Sequence, residues 1–191
     1  MLRVIAPFRL PLTLAAAILL GACAEPTSTA LAPSEPVARP LPAISLSAMN
    51  GLGSDAVRAL TTMAQATARY HDLEAAEADG FEFLHGCEIR GDEGPVGIVY
   101  IHFGRLVDGV IDPATPDGLI YEPRTNGKPK LIGVEFATPF ALWSNQQPPT
   151  FLGRPFQPED EFGVWGLHVW LWSVNPEGLF AESNPLVSCG A

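Results

Sequence analysis

The sequence predicts an α+β domain, with helices first and a mainly antiparallel, open or barrel-like sheet after them. Three observations predict it. Between Val57 and Ala68 apolar residues recur every three or four positions, the period of a helix face. From Phe81 onward the pattern changes to short apolar runs of strand length, separated by Gly, Pro, Asn and Asp. Between two of these runs lies Asn126-Gly127, a strong hairpin signal. Of the 191 residues, those from 46 to 191 suffice for one domain with its own core. The chain has no internal repeat.

Ser54 is placed to cap the first helix, with Asp55 in its first turn. Val57, Leu60, Met63, Ala64 and Ala68 form the apolar stripe, Thr67 interrupts it, and Tyr70 extends it. A second, shorter helix is expected from Asp72 to Ala78, with Asp72 as cap and Gly80 as terminator. Strands follow at Phe81 to Ile89, Gly97 to Phe103, Gly118 to Glu122 and Leu131 to Phe136. The longest, Val164 to Val174, is apolar on both faces and is therefore expected inside the sheet. Trp165, Trp170 and Trp172 on it read as core. The segment from Pro139 to Phe162 is Pro-rich and irregular, suited to a lid or a crossing loop.

The N-terminus reads as an address. Arg3 and Arg9 precede an apolar stretch, Leu10 to Leu20, too short for an ordinary spanning helix. It ends in Leu20-Gly21-Ala22-Cys23, which resembles the lipobox of bacterial lipoproteins. That resemblance implies a signal peptide over residues 1–22, lipid on Cys23, and a membrane partner through that lipid. Ala24, where an Asp is absent, points to the outer membrane facing the periplasm. Residues 23–45 carry Pro26, Pro33, Pro36, Pro40 and Pro42, a semi-rigid tether between lipid and domain.

Charge narrows the function classes. The chain has 11 basic and 21 acidic side chains. Without Arg3 and Arg9 the mature part keeps 9 basic against 21 acidic, net −12. Such a surface repels phosphate, so nucleic acid is not an expected partner. A metal ion, a cation or a neutral small molecule fits better. No serine sits in a nucleophile elbow, and there is no glycine loop for phosphates.

Cys87 and Cys189 are expected to form a disulfide in an oxidising compartment. Two free thiols, or a metal site shared with His85, are the alternatives. His102 and His168 fall inside apolar runs, where a buried imidazole needs partners for both ring nitrogens. With Asn126-Gly127 as a two-residue turn, Glu122 faces Leu131 and Glu135 faces Gly118. Both glutamates then lie on one face, about 13 Å apart by strand rise. Two histidines and one carboxylate on strands form a ligand set for Zn or Fe. His102, His168 and Glu135 are the candidate ligands, with Glu122 as substitute.

Gly97-Ile-Val-Tyr-Ile-His102, Asp112-Pro113, Leu119-Ile-Tyr-Glu122-Pro123, Gly133-Val-Glu135-Phe136, Leu167-His168-Val-Trp-Leu-Trp172, Asn175-Pro176 and Ser188-Cys189 together resemble a family of small exported bacterial proteins of unknown function. The resemblance covers about residues 65 to 189. It implies one intact domain with His102 and His168 in its core pattern, and it brings no activity. Two functions stay open. One is a metal-binding lipoprotein, with or without metal-assisted hydrolysis or oxidation of a small molecule under the Pro139–Phe162 segment. The other is a non-catalytic binding or structural module of the cell envelope, with its histidines buried for packing.

Overall fold

The structure is a computed structural model and describes residues 51–90 and 94–190, with the side chain of Arg90 left aside. The signal segment, Cys23 and the tether lie outside the described residues. Among the described residues no helix is long and apolar enough to cross a membrane.

Helix α1 spans Ser54–Thr67. Gly53, not Ser54, occupies the N-cap, and its carbonyl accepts from Val57 N–H. The helix buries Leu60, Met63, Ala64 and Thr67, the stripe expected from the period. Thr67 is explained by its partners. Its hydroxyl donates to Met63 O at 2.8 Å and accepts from Trp172 Nε1 at 3.1 Å. A 3₁₀ turn, Ala68–His71, leads into α2, Leu73–Ala78. Asp72 caps α2 by accepting from Glu74 N–H. The helix ends as its sequence dictates. Gly80 takes φ +96°, and Gly80 and Phe81 donate back to Glu77 and Ala76.

The strands are β1 (Glu82–Arg90), β2 (Gly94–Ile101), β3 (Gly118–Glu122) and β4 (Lys130–Pro139). A one-turn helix, α3 (Phe103–Leu106), follows β2. The Pro-rich segment is more ordered than a loop. It holds the small hairpin β5 (Thr150–Phe151) and β6 (Arg154–Pro155), then β7 (Gln157–Glu159). Finally β8 covers Val164–Val169, shorter than the apolar run, because Trp170 onward pairs irregularly with residues such as Leu179 and Ile132.

Six strands form one antiparallel sheet in the order β1-β2-β3-β4-β8-β7, curled into a half-barrel. The α+β class is therefore as the sequence predicts, and β8 lies inside the sheet. The hairpin register differs from expectation. Residues 123–129 connect β3 to β4, in place of a two-residue turn. Pairing runs Gly118↔Glu135 to Ile120↔Gly133, then shifts by one residue, so Glu122 faces Lys130 and not Leu131.

Each face of the sheet has its own core. On one face Leu60 and Met63 of α1 pack with Leu119, Tyr121, Val134, Phe136, Leu167 and Val169. On the other, Val96, Val99, Ile120, Ile132 and Trp170 pack with Val187 of the C-terminal segment. That segment is tied down at several points. Trp170 Nε1 donates to Ala181 O, Asn184 N–H donates to Pro95 O, and the Cys87–Cys189 disulfide closes its end. The link spans 102 residues, so it removes about 2–4 kcal/mol worth of freedom from the unfolded chain.

Candidate metal centre

The site is built at the β4–β8 seam. Glu135 of β4 and His168 of β8 are directly opposed, so their side chains leave the sheet on the same face. Strand β7 borders β8 on its other side, with Glu159 paired to Val164. Glu135, Glu159 and His168 are all buried, at 5 %, 8 % and 1 % exposure. One ligand atom from each lies within 4.8 Å of the others. His168 Nε2 is 3.7 Å from Glu159 Oε1.

Two glycines make the room. At Gly166 an added Cβ would collide with Glu159 Oε1 and lie 2.8 Å from its carboxyl carbon. At Gly118 it would lie 2.9 Å from Glu135 Cβ and 3.1 Å from Oε2. Glycine inside a strand marks close approach by another group, and here that group is a carboxylate in both cases.

The imidazole is oriented from behind. His168 Nδ1 lies 2.6 Å from Glu182 O. A carbonyl only accepts, so Nδ1 carries the proton and donates. Nε2, 3.7 Å from Glu159 Oε1, is then the ring nitrogen that could serve as a metal ligand. A histidine held by its second nitrogen on a backbone carbonyl is the usual support of a metal ligand. Two carboxylate oxygens and a ring nitrogen, all lone-pair donors in a buried place, form a group that can hold a cation.

A cavity of about 110 Å³ opens beside the group, with Glu135 and Glu159 in its wall. Leu84, Ile101, Phe103 and Phe162 supply apolar surface, and His85 stacks on Phe162 at 5.3 Å. The His85 Nδ1 atom lies 2.8 Å from Gly86 O and 3.4 Å from Glu88 Oε1.

Of the four residues proposed from sequence, Glu135 and His168 come together and two stay apart. His102 lies just past β2 and not within it. It is the N-cap of α3, where its Nδ1 accepts from Arg105 N–H at 3.2 Å. Its ring meets Phe81 edge-on at 5.5 Å. Glu122 sits at the other end of β3 from Gly118, and its Oε1 accepts from Ser188 N–H at 3.4 Å. Neither belongs to the group. The third member, Glu159, was hidden in the Pro-rich segment, beside Asp160 and Glu161, where acidic residues look like a solvated turn. The available signal was Gly166, a glycine inside the most apolar strand.

Comparison with known protein families, curated proteins and solved structures finds no match to this chain. The site therefore stands on its geometry alone.

A third buried acid among the described residues lies one residue before Gly118. Asp117 is 1 % exposed, and its Oδ2 accepts from Ala137 N–H at 2.9 Å. Burial pushes its pKa up to about 7, aided by Asp108 and opposed by the Ala137 hydrogen bond and Arg105. The carboxyl group thus extends the β3–β4 ladder ahead of the first residue of β3.

Proposed function

We propose that this chain is an exported lipoprotein, acylated on Cys23 and held at the outer membrane facing the periplasm, whose domain binds a divalent transition metal through Glu135, Glu159 and His168. The convergence of these three buried donors, with His168 held on the Glu182 carbonyl, carries the metal reading. One imidazole and two carboxylates suit Zn or Fe. The two carboxylates offset the charge of a divalent ion, which removes the main cost of burying it. The lipobox-like Leu20-Gly21-Ala22-Cys23 and the proline-rich stretch after it support the anchored part of the reading.

Elemental analysis of the intact chain, extracted from membranes in detergent without chelators, tests the metal. Near-stoichiometric metal, lost in His168→Ala and in Glu159→Gln but retained in His102→Ala, is the expected result. A folded chain that carries no metal and takes up none on addition of Zn(II) or Fe(II) overturns it. The anchor has its own test: mass spectrometry should find acyl chains on Cys23, and Cys23→Ser should leave the membrane fraction.

His102 favours a second reading, an envelope module whose histidines serve packing, because this imidazole acts as a helix cap. Under that reading chelation leaves the melting temperature unchanged, whereas a metal bound only by the native state raises it.

A further inference from the structure

The cavity beside the metal group has a shape, a wall chemistry and a charge that together define an occupant. Glu135 and Glu159 line it, and His168, fixed by Glu182 O, lies outside its lining. A metal held by these three donors would be reached from the cavity past the two carboxylates that line it. Three protein ligands plus one open position is the arrangement of reactive metal sites.

We propose that the cavity binds a small uncharged molecule bearing one nitrogen or oxygen donor, which completes the coordination of the metal. This rests on the metal reading above. The size follows from the volume. A dry cavity of about 150 Å³ holds benzene, so the 110 Å³ here takes a molecule of about four to five heavy atoms. The apolar body follows from the walls, in which Leu84, Ile101, Phe103, Leu106 and Phe162 are apolar and His85 is the polar member away from the carboxylates. The absence of charge follows from the balance of the centre. Two carboxylates already neutralise a divalent ion. An anionic ligand would leave an uncompensated negative charge against apolar walls, on a chain whose net charge is already −10.

The test uses the intact chain loaded with Co(II), whose visible spectrum reports its coordination. Imidazole, five heavy atoms and uncharged at about pH 8.5, should change that spectrum saturably. Propanoate and 4-phenylimidazole should bind about tenfold or more weakly, the first for its charge and the second for its size. Two variants probe the walls. Phe103 is 46 % exposed, so Phe103→Ala spares the fold, widens the cavity, and should admit 4-phenylimidazole. Ala137→Leu fills the cavity and should abolish the imidazole response. If Ala137→Leu does not fold, Phe103→Ala decides alone. Failure to bind Co(II) overturns the metal reading and this one with it. Co(II) bound with an unchanged spectrum at saturating imidazole overturns the ligand site alone. So does equal binding of all three probes in the parent chain and in Phe103→Ala.

Discussion

The two faces of the β4–β8 ribbon are made by alternate residues of the same two strands, yet they are chemically unlike. Toward α1 the ribbon presents Val134, Phe136, Leu167 and Val169, all packed in one apolar cluster. Toward the C-terminal segment it presents Glu135, Ala137, Gly166 and His168. The first face is filled by side chains. The second leaves space, through Gly118 and Gly166, and fills it with two carboxylates and an imidazole. A strand alternates its side chains strictly, so one ribbon can stabilise the fold with one face and carry polar chemistry on the other. The polar face is tolerable because its members converge on one another, because His168 is held on the Glu182 carbonyl, and because the other face supplies the apolar burial.

The largest expected effect lies on the apolar face. Phe136 is fully buried, and Phe136→Ala should cost about 3–5 kcal/mol in urea denaturation. Metal content of the remaining folded chain should be unchanged. Loss of metal in step with stability would mean that the two faces are one unit.

Asp117 sharpens the comparison by pH. Its pKa is raised to about 7 in the folded state, above that of an exposed aspartate, so the native state binds the proton more tightly than the unfolded chain. Its contribution favours folding at low pH and is lost as pH rises from about 4 to about 7, by up to about 4 kcal/mol. Asp117→Asn should flatten that part of the stability-against-pH curve. Denaturation series at several pH values, run for both proteins, check it, and parallel curves would contradict the assignment.

Gly166→Ala probes the polar face directly. The new methyl displaces the Glu159 carboxylate, so metal affinity should fall about 10–100-fold, while overpacking costs about 1–3 kcal/mol. Competition titration against a chromophoric chelator measures the first and thermal denaturation the second. The reverse pattern, intact affinity with lost stability, would place the metal away from Glu159.

The smallest effect is expected at His102. Replacing this cap by Ala should cost about 1 kcal/mol, and His102→Asn should restore most of it, since Asn is a good cap. Neither should alter metal content. A loss of metal in His102→Ala would return His102 to the site from which its position separates it.

Much of this was legible in the chain. The helix stripe, the Asp72 cap, the Gly80 terminator and β3 follow from local spacing and turn chemistry. Glu135 and His168 stood out because a titratable group in an apolar run needs a partner. What misled was local pattern without a neighbour. Gly97 to Phe103 alternates like a strand, but the chain turns at His102, whose N–H still donates to Asp117 O while its ring accepts from the N–H of Arg105. Asn126-Gly127 suggested a two-residue turn, whereas the longer connection and the shift after Ile120 set Glu122 against Lys130. The short β7 strand gives no sign of itself, because three residues with a central proline carry too little periodicity to read.

By itself the sequence determined the fold class and the place of the longest apolar run inside the sheet, and it made Cys87 and Cys189 the expected disulfide pair, since these depend on period, composition and count. The tertiary structure alone decided that β7 lies beside β8, that Glu159 and not His102 joins Glu135 and His168, and that Glu182 lends its carbonyl. Those contacts join segments distant in the chain, and the space that allows them is left by glycines, which add no side chain of their own to a sequence pattern.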